Sequence, residues 1–546
     1  MTYLKYIFLS AFICVFVACN DPEDVDLSEK VVVTITPDLV SGSADFSNYV
    51  ALGNSLTSGF TDGSLFKAAQ QNSLPNIIAS KFSISGGGDF IQPLTNDNIG
   101  GLAAAGIRIL EPRLVFGGQG PVTLESVEGS VNVTTDILVN NPSGPFNNLG
   151  VPGAKSFDLV ASGYGNFTNI PLGTANPFFI RMTGATPDAS VIALAEAQEP
   201  TFFSLWIGNN DVLSYATSGG DGTGLITEVA VFETSYDELI SKLTVNDAGG
   251  VVANIPNITS IPHFTTVPHN PLDPTSETFG PLIPTLNGIF SQINDVYTFL
   301  EAIDPTISAS QRSILFSTTA ASAVVIKDET LRDISSQITA VLNASPDFPA
   351  FVGSFGLPEQ NAPLVASLLG NAYGQTRQAT EDDLLVLPSA AIIGKPNTAY
   401  FTSLVSQGLP QGLAGQFSVE GVTYALDDKW VLLPNEQEEI KNATVAFNAI
   451  ITTKANEANL ALVDANSLLD QIATTGITSG NFTLKSNLVT GGAFSLDGIH
   501  PTARGYALLA NEFLKAIDAT YGSNFELSGN LADIGTYPTN YSSKLR

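Results

Sequence analysis

The stretch Tyr49-Val-Ala-Leu-Gly-Asn-Ser-Leu-Thr-Ser-Gly-Phe60 decides the fold of this chain of 546 residues. It opens with a short apolar run, Tyr49–Leu52, and ends abruptly in a glycine, an asparagine and a serine. A run that is apolar on every residue is typical of a strand covered on both faces, as in a parallel sheet. The stretch therefore predicts a buried strand that presents the hydroxyl group of Ser55 at the edge of a sheet.

Three further apolar runs have the same character: Phe202–Ile207, Val251–Ile255 and Leu460–Val463. Apolar residues at helical spacing predict a helix over about 435–458 and a last helix over about 501–519, with Pro501 in its first turn. Strands that alternate with helices are typical of βαβ units. The sequence therefore predicts the α/β fold class with a mainly parallel sheet.

One domain is predicted over residues 46–532, because that range shows neither a sharp linker nor an internal repeat. Two segments, 61–145 and 270–430, are predicted to be insertions, and the first contains a β-rich run over 122–139. Residues 533–546 are polar and rich in turn formers, which predicts an irregular C-terminal tail.

The composition limits the class of partner. Apolar residues make up 44% of the chain, which favours a folded protein over a disordered one. The 22 Lys and Arg residues face 52 Asp and Glu residues, so the formal net charge is −30. A surface this acidic repels phosphate groups, which excludes nucleic acid as a partner.

The N-terminus has the features of a targeting segment. Lys5 precedes an apolar stretch from Tyr6 to Ala18, which is too short to span a bilayer and suits a signal peptide. Its end, Phe16-Val-Ala-Cys19, resembles the cleavage box of bacterial lipoproteins. That resemblance implies a signal peptide over 1–18, lipid on Cys19 and a membrane anchor in the cell envelope. The alternative is an ordinary signal peptide with a coincidental cysteine.

Residues 19–45 are predicted to be the lipid anchor and an acidic tether, since Asn20–Asp26 is acidic and contains a proline. Acidic residues directly after the cysteine resemble the surface-export motif of Bacteroidota lipoproteins, which implies an outer-membrane, surface-exposed location. The only other cysteine, Cys14, leaves with the signal peptide, so the mature chain is expected to have no disulfide and no cysteine metal site.

Two parts of the chain carry the residues of a serine hydrolase. A serine exposed on a turn after a strand attacks an acyl carbon if a base removes its proton, and Ser55 meets the first condition. In Asp497-Gly-Ile-His500, a tight turn would bring the carboxylate to the imidazole, where it fixes the ring tautomer. The alternatives are a plain polar turn at Ser55 and a helix-capping aspartate beside a structural histidine.

The chain has only three histidines, and the other two, His263 and His269, lack a carboxylate at similar spacing. We therefore expect them to be loop or pocket-wall residues. No His-Glu-x-x-His, Cys-x-x-Cys or phosphate-loop motif occurs in the sequence, so no metal and no cofactor is expected.

The chain resembles the SGNH, or GDSL-type, serine hydrolase family in four blocks that occur in the family's order. They are Gly53-Asn-Ser-Leu56, Asn148-Leu-Gly-Val-Pro-Gly153, Ile207-Gly-Asn-Asn-Asp211 and Asp497-Gly-Ile-His500. The resemblance implies a flavodoxin-like three-layer α/β/α fold. It also implies a catalytic triad of Ser55, Asp497 and His500, and an oxyanion hole formed by the N–H of Ser55 with Gly153 and Asn210.

The alternative for Gly153 is an ordinary turn glycine after Pro152, and the alternative for Asn210 is an Asx turn before a helix. The chain departs from the family in one residue of the first block, where Asn54 stands in place of the usual aspartate, and in the long spacing between its third and fourth blocks. Activity is expected to survive the substitution, because the nucleophile is retained.

Three functions remain open on the sequence. The first is an esterase or lipase acting on a lipid or short acyl ester, with the apolar segments Leu364–Leu369 and Ala390–Ile393 lining a channel. The second is a carbohydrate acetylesterase. The third is a non-catalytic lipoprotein that binds a hydrophobic ligand and passes it to an outer-membrane transporter.

Overall fold

A five-stranded parallel sheet lies at the centre of the computed structural model, which describes residues 36–546. Its strands are β1 (Tyr49–Gly53), β2 (Asn148–Gly150), β3 (Phe202–Trp206), β4 (Gly249–Ala253) and β5 (Ala461–Val463). Their order across the sheet is β2-β1-β3-β4-β5, and every neighbouring pair is parallel. The predicted α/β class with a parallel sheet is confirmed.

The two faces of the sheet are buried in separate cores, which explains why its strands are apolar throughout. Val50 and Leu52 of β1 point into one core, while Tyr49 and Ala51 point into the other. Helices cover both faces, and those around the sheet are α1 (Ser55–Ser58), α2 (Leu74–Phe82), α3 (Val191–Glu196), α4 (Asn209–Thr217), α5 (Val229–Leu243), α6 (Pro434–Glu457), α7 (Ala465–Thr474) and α8 (Ala503–Tyr521). Helices α2 and α8 pack on one face, and α3, α5 and α6 pack on the other.

Most of the predicted central elements are present, with ends shifted by a few residues, but two details were wrong. Strand β2 was not predicted, because Asn148-Leu-Gly150 is short and offers no apolar run. Pro501 lies before the last helix and not in its first turn. That helix begins at Ala503, because the Thr502 hydroxyl accepts the N–H of Gly505 at 3.0 Å and caps it.

Part of segment 61–145 belongs to the basic α/β unit and is not an insertion, because α2 connects β1 to β2 and packs on the sheet. The predicted β-rich run over 122–139 was also wrong. The only strand in this run is Pro121–Thr123. It is followed by a helix, Leu124–Glu128, which ends at Gly129 with a positive φ of 76°. The other elements of this segment are a helix, Lys67–Gln71, and three strands, Leu102–Ala104, Ile107–Leu110 and Leu114–Phe116.

Segment 270–430 contributes to a third hydrophobic core, which extends from Val267 to Leu433. The buried guanidinium of Arg377 lies within it between Asp328 and Asp383, at 2.5 and 2.6 Å. Its longer helices are Ile283–Ile303, Ser335–Ala344, Phe348–Ser354, Ala362–Tyr373, Thr398–Ser406 and Gln411–Phe417. Two antiparallel pairs accompany them, Val325–Lys327 with Thr376–Gln378 and Leu384–Leu385 with Val431–Leu432.

Segment 270–430 also contains the short helix Ala309–Arg312. Outside the two segments there are the short helices Pro177–Thr183 and Pro262–Thr265 and the strand pair Ile477–Ser479 and Phe482–Leu484. Within residues 36–546, no helix combines the length and the apolar character needed to span a bilayer.

Both ends of the described chain pack against the body of the protein. In the tail 533–546, which is irregular apart from one turn, the Ser542 carbonyl accepts from the buried Arg113 at 2.6 Å. At the other end, Ala44 is buried and the Ser43 N–H donates to the Tyr521 carbonyl at 2.8 Å. Residues 39–45 therefore belong to the compact unit and not to a free tether. The predicted signal peptide, Cys19 and the tether up to residue 35 lie outside the described residues.

Replacing Gly150 with alanine should destabilise the protein, because a Cβ atom there would lie 2.3 Å from the Ser58 backbone nitrogen. The strand must then move away from α1, at a cost of about 1–3 kcal/mol in the free energy of unfolding. Gly288 is the matched control: it lies in helix Ile283–Ile303, where nothing is within 4 Å of a Cβ, and alanine there should stabilise by up to ~1 kcal/mol. Denaturant unfolding measures both, and equal stability of the two variants would contradict this packing.

Candidate active site

Ser55 is held at the end of β1 by a sharp turn that requires glycine. Gly53 has φ 155°, and a Cβ atom there would lie 2.3 Å from the Trp206 carbonyl oxygen. The following Asn54 is fully buried, and its side-chain oxygen accepts the Leu56 N–H at 3.0 Å, which caps α1. Ser55 is thus the first residue of a helix that starts directly at the carboxyl end of a central strand.

The three residues of the predicted triad are joined by hydrogen bonds. His500 Nε2 lies 2.9 Å from Ser55 Oγ, and His500 Nδ1 lies 2.8 Å from Asp497 Oδ2. A carboxylate at Nδ1 favours the tautomer that carries its proton there, which leaves Nε2 free to accept the serine proton. The ring of Phe60 packs against His500 at a centroid distance of 4.7 Å and covers one side of it.

The Asp497 carboxylate accepts five hydrogen bonds. Its donors are the N–H of Gly63, the hydroxyl of Ser495, the N–H groups of Ile499 and His500, and His500 Nδ1, at 2.8–3.0 Å. Burial opposes ionisation of this group, but the neighbouring His500 and these N–H donors outweigh it and hold the pKa of Asp497 well below its usual value. Asp497 is therefore ionised at neutral pH and fixed in orientation.

A second carboxyl group beside the site, Asp62, has the opposite pKa shift. Burial and the charge of Asp497 raise the pKa of Asp62 to about 7. The hydrogen bond from the Leu496 N–H and the charge of Arg113 lower the pKa, but by less. Asp62 Oδ1 accepts that Leu496 N–H at 3.1 Å, and the Asp62 N–H donates to Ser495 Oγ at 3.0 Å. Asp62 therefore holds the turn that contains Asp497. This role of Asp62 could not be predicted, because Asp62 falls in the segment 61–145, which was predicted to be an insertion.

His263 packs under the same turn. Its backbone N–H donates to the Gly498 carbonyl at 2.9 Å, and burial lowers the pKa of its imidazole to about 4. Its Nε2 atom has no hydrogen-bond partner among residues 36–546. His263 is therefore a buried, neutral residue that packs against the turn with Asp497 and does not line the pocket at Ser55. His269 is half-buried, and its carbonyl accepts the Val324 N–H at 3.1 Å.

The two predicted oxyanion-hole residues follow the strands on either side of β1. Asn210, in the first turn of α4 after β3, lines the same pocket as Ser55, and its side chain donates to the Ala154 carbonyl at 2.9 Å. Gly153 follows β2, is exposed and has φ 83°. Among the described residues, no acceptor takes its N–H. The bond to Ala154 thus holds the Gly153 loop against Asn210.

A pocket opens at Ser55 and His500. Apart from the polar side chains that follow β1 and β3 and that of His500, its lining is apolar and comes from the ends of β1 and β3, from α4, α7 and α8, and from residues 256–261 and 493–501. The segments Leu364–Leu369 and Ala390–Ile393, predicted to line a channel, do not line this pocket. Leu364 and Leu368 pack around Leu404, and Ile392 and Ile393 pack on the third core.

A group of three carboxyl groups lies outside this pocket, formed by Glu329, Asp428 and Glu436. Burial and mutual repulsion raise the pKa of Glu436 to about 8 and that of Asp428 to about 6. The sequence did not indicate this group, because its members are far apart in the chain. Glu436 also accepts the Leu433 N–H at 2.7 Å and so caps α6.

Comparison with known proteins gave no matching family model, no matching curated protein and no matching solved structure. The function of the site is therefore inferred from its geometry and from the four sequence blocks. The geometry and the four blocks concern the same residues, since each block lies at or directly after a strand of the sheet or in the turn before α8.

Replacing Asp62 with asparagine should reduce the dependence of stability on pH. The pKa of Asp62 is about 7 in the folded protein but ~3.9 in an unfolded chain, so only the folded state holds this proton between those values. Stability therefore falls as the pH rises through this interval. Asparagine keeps an acceptor for Leu496 without titrating.

Thermal unfolding at about pH 5 and about pH 8 measures this effect. From pH 5 to 8 the wild type should lose a few kcal/mol more than the variant. The low pKa of Asp497 acts in a separate window, since its contribution is lost only as the pH falls below ~3.9. Identical pH profiles for the two proteins would contradict the assignment.

Proposed function

We propose that the protein is a serine ester hydrolase of the SGNH family that acts through an acyl-enzyme on Ser55. The observation that carries the proposal is the hydrogen-bonded series Ser55 Oγ, His500 and Asp497 at the mouth of an apolar pocket. Two further findings support it. The strand order 2-1-3-4-5 is that of flavodoxin-like sheets, and the site lies at the carboxyl ends of β1 and β3, where such sheets bind ligands.

In the proposed first step, Ser55 Oγ attacks the ester carbonyl carbon while His500 Nε2 takes its proton. The tetrahedral intermediate then expels the alcohol, which leaves with the proton from His500. In the second step, water attacks the acyl-enzyme while His500 takes its proton, and His500 then gives that proton to Ser55 Oγ as the bond to the acyl carbon breaks and the acid is released. Asp497 stays ionised throughout and stabilises the imidazolium that forms in each step.

The oxyanion is proposed to be bound by three donors: the N–H of Ser55, the N–H of Gly153 and the side-chain N–H of Asn210. The side-chain amide of Asn210 has two N–H groups, and only one is needed for Ala154. The N–H of Ser55 is at the first position of α1, where no intrahelical acceptor exists. Each such donor is typically worth about 100- to 1000-fold in kcat.

Asn54 is compatible with this activity. Its side chain uses both its functional groups, since Oδ1 caps α1 and Nδ2 lies 3.4 Å from Asn209 Oδ1. An aspartate would keep the cap and lose the donor. The substitution therefore changes how the turn is held, while the nucleophile and its base remain.

The alternative function is a non-catalytic lipoprotein that carries a hydrophobic ligand to an outer-membrane transporter, and the apolar pocket favours it. A carbohydrate acetylesterase is disfavoured by the same pocket, because an acetyl group would leave most of its apolar lining without a bound apolar group.

A fluorophosphonate probe should label Ser55 in the protein without residues 1–19, and the Ser55→Ala and His500→Ala variants should not be labelled. Hydrolysis of a p-nitrophenyl ester should fall at least about 1000-fold in both. His269→Ala is the matched control for the histidine and should keep full activity, since its side chain lies outside the pocket. A folded wild type that is neither labelled nor active would favour the binding protein.

Membrane anchoring through Cys19 is part of the proposal and is carried by Phe16-Val-Ala-Cys19. In bacterial cells, the wild type should fractionate with the outer membrane. A Cys19→Ser variant should lose the lipid and its mass, as read by mass spectrometry of the N-terminal peptide. An unmodified Cys19 in the wild type would contradict the anchor.

A further inference from the structure

The pocket next to Ser55 has one wall that is formed by a single helical stripe. Ala465, Leu468, Leu469 and Ile472 of α7 all line it, at the spacing i, i+3, i+4 and i+7 that places residues on one helix face. At a rise of 1.5 Å per residue, this stripe runs for roughly 10 Å along the pocket.

The opposite wall is equally apolar. Leu508 and Leu509 of α8 contribute to it, and Trp206 lies at the end of β3. The indole N–H of Trp206 donates to the Asn254 carbonyl at 3.2 Å, so the one polar atom of this side chain is already satisfied. Apart from that indole, the polar lining side chains all follow β1 and β3 or belong to the turn with His500.

We propose that this pocket is the acyl-binding site and that the enzyme prefers esters with medium-length apolar acyl chains. The inference rests on the proposed hydrolase function and names its substrate class. An apolar groove about 10 Å long gains free energy from each methylene it buries and offers nothing to a polar chain.

The pocket suits the acyl chain better than the alcohol. In the acyl-enzyme, the acyl chain must stay bound through the second step, whereas the alcohol must leave and be replaced by water beside His500. An apolar groove retains an apolar chain, because the chain loses its contact with water there. The alcohol is therefore placed on the solvent side of Ser55.

Burying one methylene strengthens the binding constant about fourfold. We therefore expect kcat/KM to rise about fourfold for each added methylene until the pocket is filled. From acetate to hexanoate, which adds four methylenes, the expected rise is on the order of 100-fold. Beyond the length of the pocket, the gain should stop.

The test is a series of p-nitrophenyl esters from acetate to decanoate, with the alcohol constant, measured on the protein without residues 1–19. A second series keeps the acetyl group and lengthens the alcohol from ethyl to octyl. A rise in the first series with a flat second series supports the proposal. A flat first series, or a rise confined to the second series, overturns it.

Leu468 is the residue at which the length preference should change, since it is only partly buried and its neighbours tolerate a larger side chain better than a core position would. Leu468→Trp should lower kcat/KM for octanoate at least tenfold relative to acetate. Leu468→Ala should move the preference toward longer chains, and it serves if the larger residue prevents folding. Leu194→Trp on α3 is the matched control, because Leu194 is partly buried and does not line this pocket.

Labelling of Ser55 by the fluorophosphonate distinguishes a failure of the acyl-binding pocket from a failure of the proposed hydrolase function. Labelled protein with no dependence on acyl length overturns the acyl pocket and leaves the hydrolase. Folded protein without labelling overturns both. Equal chain-length profiles for Leu468→Trp, Leu468→Ala and the wild type would also reject this pocket as the acyl site.

Discussion

The site depends on the hydrogen bonding of one carboxylate, Asp497. Its five donors come from the turn before α8 and from Gly63, at the start of the segment that follows α1. These hydrogen bonds offset the free-energy cost of burying the charge and orient the imidazole of His500. They also connect the turn before α8 to the segment that follows α1. Burial keeps His263, which contacts the same turn, neutral and raises the pKa of Asp62 to about 7, whereas Asp497 is fully ionised. The Asp497 carboxylate is therefore the charge that faces the imidazole.

The parallel sheet brings the reacting groups together. Ser55 and His500 are 445 residues apart in sequence, yet their side chains are 2.9 Å apart. Ser55, Gly153 and Asn210 follow three adjacent strands, β1, β2 and β3, whose carboxyl ends meet at one edge because the strands are parallel. The third hydrophobic core contributes no residue to the pocket, so the long segment that contains it is built beside the site without replacing any of its parts.

The sequence predicted four of the central strands because each is apolar on both faces. It predicted Ser55, Asp497 and His500 because four short blocks, each weak alone, occur in the order of one family. It missed β2, which is three residues long, and the crossover helix α2, which was hidden in a glycine-rich segment. Asp62 was missed because its role arises only when its segment packs on a turn far along the chain. The apolar segments predicted to line a channel were the wrong ones. The apolar stripe of α7 lines the pocket instead, and a sequence does not show which surface such a stripe faces.

A crystal structure of the protein after reaction with an octyl fluorophosphonate would test the central claim most directly. The account predicts a covalent bond from Ser55 Oγ to phosphorus, with the phosphoryl oxygen about 2.7–3.1 Å from the N–H groups of Ser55, Gly153 and Asn210. His500 would remain bonded to Asp497, and the alkyl chain would lie along α7. Phosphorus on another residue, or a phosphoryl oxygen that points away from these three donors, would contradict the account.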